Sequence, residues 1–563
     1  MESCSFLRLP AELVLHILSH LEPFDLVKTA QTCRTLQQHS YDDFLWLPLV
    51  QRNIVGSPVD GTSFPSYREL YAAHHPHWFL PRHRIWFSDS SPSGKLLVAR
   101  YEPNAGRIAA YTVTAARGPH TLQSWEKNRS VIIHHFNPEV SLDLTRPVLN
   151  LAPHKANREA ETSDEQPSGQ RPAPSSKYGK EVLMDNFTEQ GLYAAFMLCR
   201  ALPEEAITES THVWPPLRIP AQARTRNVSG DDFRSAGHRP TTFDEISQYN
   251  FRVRKWVEFG TRGSHPAVSP AHAFNTPDGF AAALGRVHPF FAARFNAYSP
   301  SGVSVRIPEE ITTYATLPPS CYTPTPAKPY QGIWCGDYSG HGCEFLVITQ
   351  PDKEQARPLP EGMAWLRNWF AGRDAGPLGS ANRYANTDVD VDILGGVDEE
   401  EIEEEESSGD EKTRFPMDNT LDHTTAGSSS RAAVEVTDHP DAPSGRLEAI
   451  KLTGDPYIPR GEFTFVAPDI GAGGFIRIAD EQAFRGARVV RSAGHVADRD
   501  FELDQYTPSQ LILLSHNTLA QFWERMGHIS YYQRVDLDAL ANTHTFSSSR
   551  NMNLRNGGGE TIT

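Results

Sequence analysis

The chain has 563 residues, 39% of them hydrophobic, with a net charge of −16, which leaves room for a large core and two to four domains. Half of that charge sits in one run, Asp398 to Glu406 (DEEEIEEEE), so the rest of the chain is only mildly acidic. The absence of a general basic balance argues against nucleic acid as a partner, and no apolar run approaches the length of a membrane-spanning helix.

No stretch combines a basic start with a signal-length apolar segment, so the expectation is a soluble protein, cytoplasmic and/or nuclear. The six cysteines, at positions 4, 33, 199, 321, 335 and 343, form no C-x-x-C pair. That spacing argues against both a disulfide framework and a zinc module, and no cofactor is expected.

Residues 6–52 read as a compact helical unit. Pro10 suits the start of a first helix, and Glu12 adds a favourable charge to its first turn. Glu22-Pro23-Phe24-Asp25 places acids like a capping box at the start of a second helix. A short helix around Arg34 to Gln38 follows. Asp42-Asp43 then leads into the apolar run FLWLPLV, where Pro48 is expected to kink or shorten the helix. Apolar residues at 13, 14, 15, 17, 18 and 21 surround nearly the whole first helix, whereas an edge helix normally shows one apolar stripe. A unit of this size cannot bury so many apolar side chains by itself, so the surplus face predicts an interface.

After a bridging stretch the pattern switches to alternation. Lys95 to Tyr101, Arg107 to Thr114 and Ser130 to Phe136 read as strands separated by turn residues. Phe251 to Phe259 (FRVRKWVEF) alternates with one slip, which predicts a bulge. Gly332 to Gln350, Leu447 to Val466 and Gln510 to Arg534 give further hairpins. So many short strands favour a closed or sandwiched antiparallel sheet over an α/β fold. One helix is expected near Glu189 to Leu202, packing through Leu192, Phe196 and Cys199. Two segments rich in polar and charged residues, 154–180 and 376–445, are expected to be disordered insertions.

The order of residues in the opening unit resembles the F-box: Leu9-Pro10, Glu12-Leu13, Ile17-Leu18, Leu21, Asp25-Leu26, Cys33-Arg34, Leu36 and Leu45-Trp46 fall at that family's spacing. Three later stretches resemble the F-box only protein 31 family. Gly332 to Ile348 (GIWCGDYSGHGCEFLVI) carries D-Y-x-x-H-G-x-E, and Lys451 to Gly461 (KLTGDPYIPRG) carries K-x-T-G-D-P-x-x-P-x-G. Gln510 to Arg534 is similar to that family's C-terminal hairpin. With His77 to Arg107, the likeness touches about half of the chain outside the two insertions.

The resemblance implies an α+β architecture, a small N-terminal three-helix F-box followed by a large antiparallel β-barrel-like domain with disordered insertions. The domains are then 6–52, the F-box; 53–153, 181–375 and 446–540, the receptor domain; and 541–563, a flexible tail. It implies a non-catalytic substrate receptor of a Skp–cullin–F-box ubiquitin ligase that recruits proteins, D-type cyclins among them, by C-terminal tails for degradation.

The implied Skp adaptor face comprises Leu9, Pro10, Leu13, Ile17, Leu18, Leu21, Leu26 and Cys33. The substrate site is expected at Asp337, Tyr338, His341, Lys451, Thr453 and Asp455. Lys451 or a protonated His341 would suit a terminal carboxylate, whereas Asp337 and Tyr338 would suit an amide. Thr453-Gly454-Asp455-Pro456 is also ordinary turn chemistry. The alternatives are an F-box scaffold acting outside degradation, and a hydrolase or sugar-binding β domain fused to an F-box. The sequence holds no G-x-S-x-G elbow, phosphate loop or H-E-x-x-H.

Overall fold

The structure, a computed structural model, describes residues 5–54, 64–118, 121–153, 177–184, 192–208, 212–226, 238–259, 305–338, 342–354, 356–366 and 443–543. Both expected insertions and the expected tail fall almost wholly outside these residues, as does His341.

The opening unit is helical throughout: α1 (Ala11–Leu18), α2 (Pro23–Ala30), α3 (Arg34–Ser40) and α4 (Asp43–Gln51). Glu22 stands at the N-cap of α2 but makes no side-chain capping bond, and Asp25 pairs with Lys28 instead. The working cap is Asp42, whose carboxylate accepts from the Phe44 N–H at 2.9 Å. The helix α4 continues through Pro48 to Gln51, so the proline does not end it. Val14, Leu18, Leu26, Leu45, Trp46 and Leu49 form the core of the unit. The next helices, α5 (Tyr67–His74) and α6 (Phe79–His83), lead into the sheet, and Tyr67 and Tyr71 of α5 pack on that core.

The remainder is built mainly of strands, β1 to β22 among the described residues. The first group is β1 (Ile85–Ser88), β2 (Leu96–Glu102), β3 (Arg107–Ala116), β4 (Leu122–Trp125), β5 (Asn128–His134), β6 (Glu139–Leu142) and β7 (Leu149–Leu151). The second is β8 (Val182–Met184), β9 (Leu192–Arg200), β10 (Val213–Trp214), β11 (Thr225–Arg226), β12 (Ile246–Phe259) and β13 (Val305–Ala315). The third is β14 (Gly332–Asp337), β15 (Cys343–Thr349), β16 (Leu447–Lys451), β17 (Phe463–Ala467), β18 (Phe475–Ile478), β19 (Arg488–Asp498), β20 (Glu502–Ser515), β21 (Thr518–Trp523) and β22 (His528–Arg534).

They build two large antiparallel arrays. The first sheet runs β6-β3-β2-β1-β13-β12-β9-β8, with β7 also on β3. The second closes on itself: β14, β15, β16, β17, β19, β20, β21 and β22 pair in turn, and β14 returns to β22 through Trp334↔Arg534 and Gly336↔Tyr532. Closure of these eight strands leaves no free barrel edge. The β4–β5 hairpin joins this barrel from outside, β5 running parallel to β22.

Alternation along the first sheet sorts its residues to two faces. Trp86, Leu97, Ala99, Ile108 and Ala110 pack with α5 and α6. Ile85, Phe87, Leu96, Val98, Ala109 and Tyr111 pack instead against the barrel wall, with Ile333, Cys335, Phe345 and Val347. Trp334, Leu346, Ile348, Leu447, Phe465, Leu511 and Tyr532 fill the barrel itself. The layers are therefore helices, sheet and barrel. After β22, α7 (Leu537–Ala541) returns to the sheet, where Asp538 meets Arg84 at 2.7 Å.

The expected bulge appears in β12 between Lys255 and Val257, against β13. The expected helix at 189–202 does not: Leu192–Arg200 is the strand β9, paired with β12 and β8. Ala194 to Cys199 are buried without interruption, as befits a strand covered on both faces. Among the described residues, no helix is long and apolar enough to cross a membrane.

Candidate functional site

The surplus apolar residues of the helical unit divide cleanly. Leu9, Leu13 and Ile17 remain 38%, 49% and 43% exposed, and Pro10 beside them is exposed. Leu18 and Leu26 instead lie inside the unit's own core, with Leu21 packed at its edge. Cys33 is half-buried, its sulfur accepting from the Leu36 N–H at the start of α3. Phe24, Val27 and Phe44 are also exposed, at 49%, 38% and 62%. The sequence reading missed these three, although their apolar character was the available signal. Large apolar groups thus stay exposed along α1, α2 and α4, although the Phe24 ring also packs against His75 and Phe243.

The second candidate lies at one end of the barrel. Lys451 closes β16 with its side chain 1% exposed, and its Nζ lies 2.8 Å from Glu344 of β15 and 2.5 Å from Asp455. The Tyr338 ring stands over the same ammonium at 4.5 Å, and its hydroxyl shares a 2.8 Å hydrogen bond with Thr464. Neither Glu344 oxygen has a well-directed hydrogen bond beyond that ion pair.

One ammonium thus faces two carboxyls out of water, and the acids settle differently. Burial pushes Glu344 up to about 8, with Asp455 adding to the rise against the pull of Lys451. Burial would raise Asp455 too, but Lys451 and hydrogen bonds from its neighbours hold it at about 2. At neutral pH the cluster is a protonated Glu344, an Asp455 carboxylate and the Lys451 ammonium. Protonated, Glu344 is a donor toward Asp455, and that hydrogen bond helps to hold the Asp455 carboxyl down.

Backbone geometry fixes this arrangement. Asp455 accepts from the N–H groups of Tyr457 and Ile458 at 2.6 and 2.8 Å, folding the β16–β17 connection into a tight turn. Gly454 donates to Ser93 O at 2.8 Å, and Arg460 donates to Pro92 O and Asp89 O at 2.7 and 2.9 Å. The connection is therefore pinned to the β1–β2 turn of the first sheet. Thr453 accepts from Phe345 N–H at 2.8 Å through its hydroxyl, extending the β15–β16 pairing.

Asp337 does not join this cluster. It is the last residue of β14 and points to the opposite face from Tyr338, where it meets Arg117 at 3.0 Å. Arg117 follows β3 and stays partly exposed, and Cys343 lies directly across from Asp337. The structure therefore brings Tyr338, Lys451 and Asp455 together with Glu344. It places Asp337 on the outer wall and Thr453 in the strand pairing.

Comparison with family models gives two matches. A cyclin D1 binding domain matches residues 314–539, the span from the end of β13 to α7 that includes the whole barrel. An F-box-like model matches residues 6–52.

The two matches together are consistent with an F-box protein.

The exposed apolar residues of α1, α2 and α4 all belong to the F-box-like domain, and the Lys451 cluster and Asp337 both belong to the cyclin D1 binding domain. Among curated proteins, none matches the chain. An F-box-like domain is a docking domain, which implies a non-catalytic adaptor role.

Proposed function

We propose that this protein is the substrate-recognition subunit of a Skp–cullin–F-box ubiquitin ligase, and that it recruits target proteins by their C-terminal tails for ubiquitination and proteasomal degradation. The observation that carries the reading is the pairing of an unburied apolar face on residues 6–52 with a cyclin D1 binding domain at 314–539. One half docks on the adaptor, through Leu9, Pro10, Leu13 and Ile17. The other holds a substrate, with a cyclin-like protein the first candidate. The protein breaks no bond itself; tethering raises the effective concentration of substrate at the ubiquitin-bearing enzyme. The setting is the cytoplasm, the nucleus or both.

Within the barrel domain the proposed tail site is the rim formed by Asp337 with Arg117 and by the Lys451–Asp455 turn. Lys451 is already neutralised by Asp455, so it is not a spare cation waiting for a carboxylate. Arg117, partly exposed beside Asp337, is a cation at the rim with surface access. The terminal chemistry stays open between carboxylate and amide.

The test is affinity purification of the full chain with and without inhibitors of the proteasome and of cullin activation. Proteins that accumulate on wild type but not on an Asp337→Ala variant that retains its adaptor support the reading. Capture of the adaptor with no accumulating protein contradicts degradation and favours a scaffold. Peptides copying an accumulated tail, ending in carboxylate or amide, then measure the site. Loss of one charge-assisted bond should weaken binding roughly ten- to a hundredfold.

A further inference from the structure

Between α2, α3 and α5 lies an open groove of about 480 Å³, lined by Val27, Cys33, Arg34, Gln37, Tyr41 and Arg68 among others. Its composition is unusual for a bland surface dip in two respects. No lining residue is acidic, and Arg34 and Arg68 form no ion pair with any described residue. Arg68 is held in place by its guanidinium lying 3.8 Å from the centre of the Tyr41 ring. That stacking fixes a cation at the lip without neutralising it. Val27 and Tyr41 add exposed apolar surface at 38% and 40%.

Three of these six residues lie on α2 and α3, and Cys33 and Tyr41 flank α3, but Arg68 does not belong to the F-box-like segment, which ends at residue 52. It comes from α5, whose N–H at Tyr67 is anchored to the Asp43 carboxylate at 2.9 Å and whose Tyr67 and Tyr71 pack on the unit's core. The helix α5 is thus built onto the F-box-like domain as part of one body.

The geometry points to an adaptor interface that runs past the F-box-like domain onto α5, where Arg34 and Arg68 grip an acidic segment of the Skp adaptor. An apolar side chain of that segment enters between Val27 and Cys33. The inference rests on the adaptor-docking reading above and adds to it a second contact, polar where the α1 face is apolar. Charge complementarity chooses the occupant: two unpaired guanidiniums flanking an apolar floor select a chain carrying carboxylates.

The experiment measures binding of purified Skp adaptor to the full chain across a salt series. The variants are Leu13→Asp, Arg34→Glu, Arg68→Glu, the double Arg→Glu change and Arg68→Lys. Leu13→Asp tests the underlying reading and should abolish binding. The double charge reversal should weaken binding on the order of tenfold at low salt and flatten its salt dependence. Arg68→Lys keeps the charge and should retain most of the affinity, which separates charge from folding. Wild-type affinity and salt dependence in the double variant, with Leu13→Asp inactive, overturn the groove while leaving the adaptor reading intact. Full binding by Leu13→Asp overturns the reading itself and the groove with it.

Discussion

Burial keeps Glu344 protonated in the barrel at neutral pH, because the pull of Lys451, which Asp455 also engages, does not offset the loss of water. The native state holds this proton between the ordinary 4.5 and about 8, where the unfolded chain has released it. Folding stability therefore falls as pH rises through that window. Asp455 works in the opposite sense: held at about 2 against 3.8, it contributes stability that is present above 3.8 and lost as pH falls toward 2. Thermal melts across pH should show the first slope in wild type and its loss in Glu344→Gln. An identical slope in both proteins would mean that Glu344 is ionised in the barrel. Lys451→Met should be far more damaging, since it strands the Asp455 carboxylate in the interior. The expected loss is about 3–5 kcal/mol in a denaturant titration. A loss within the scatter of surface changes would show that the cluster is open to water.

At the scale of the element, barrel closure depends on one small residue. A Cβ on Gly336 would stand 2.6 Å from the Tyr532 ring, at the register where β14 meets β22. Gly336→Ala should cost about 1–3 kcal/mol through overpacking, read as a shift in the urea midpoint. A neutral outcome would show that Tyr532 can swing aside. In the helical unit, Asp42→Ala removes the side-chain cap of α4 and should cost about 0.5–2 kcal/mol, whereas Glu22→Ala should cost little because Glu22 makes no capping bond.

The strands β2, β3, β5 and β12 were legible in the sequence as turn-bounded runs, although β2 is buried on both faces and β5 keeps the clearest wet face, and the bulge in β12 shows as a slip in its alternation. The strand β9 was not. Its run LYAAFMLCR is buried on both faces, and a short continuous apolar run fits a buried strand and a buried helix equally. Phe196 and Cys199 suggested a helical stripe at a spacing of three, but in β9 they face opposite layers.

The whole molecule is a helical docking unit fixed to a sheet that in turn supports a closed barrel. Much of the candidate site is local and could be read in advance: Thr453 to Pro456 is a turn, and Lys451 and Asp455 are four residues apart. What was hidden depends on distant chain segments. Arg117 reaches Asp337 across 220 residues, and Arg460 pins the Asp455 turn to a carbonyl 371 residues away. Asp337 and Tyr338 looked like a joint donor and acceptor as neighbours in a glycine-rich stretch. Because β14 extends through Asp337, the alternation of a strand separates them instead.

The central claim is that residues 6–52 bind a Skp adaptor and bring this chain to a cullin ligase. Its most direct test is co-purification of adaptor and cullin with the full chain, wild type against the double change Leu9→Ala and Pro10→Ala. The account predicts that wild type recovers both partners, and that the variant loses both while its barrel melts at the wild-type temperature. Recovery of adaptor and cullin by the variant at wild-type levels would contradict it.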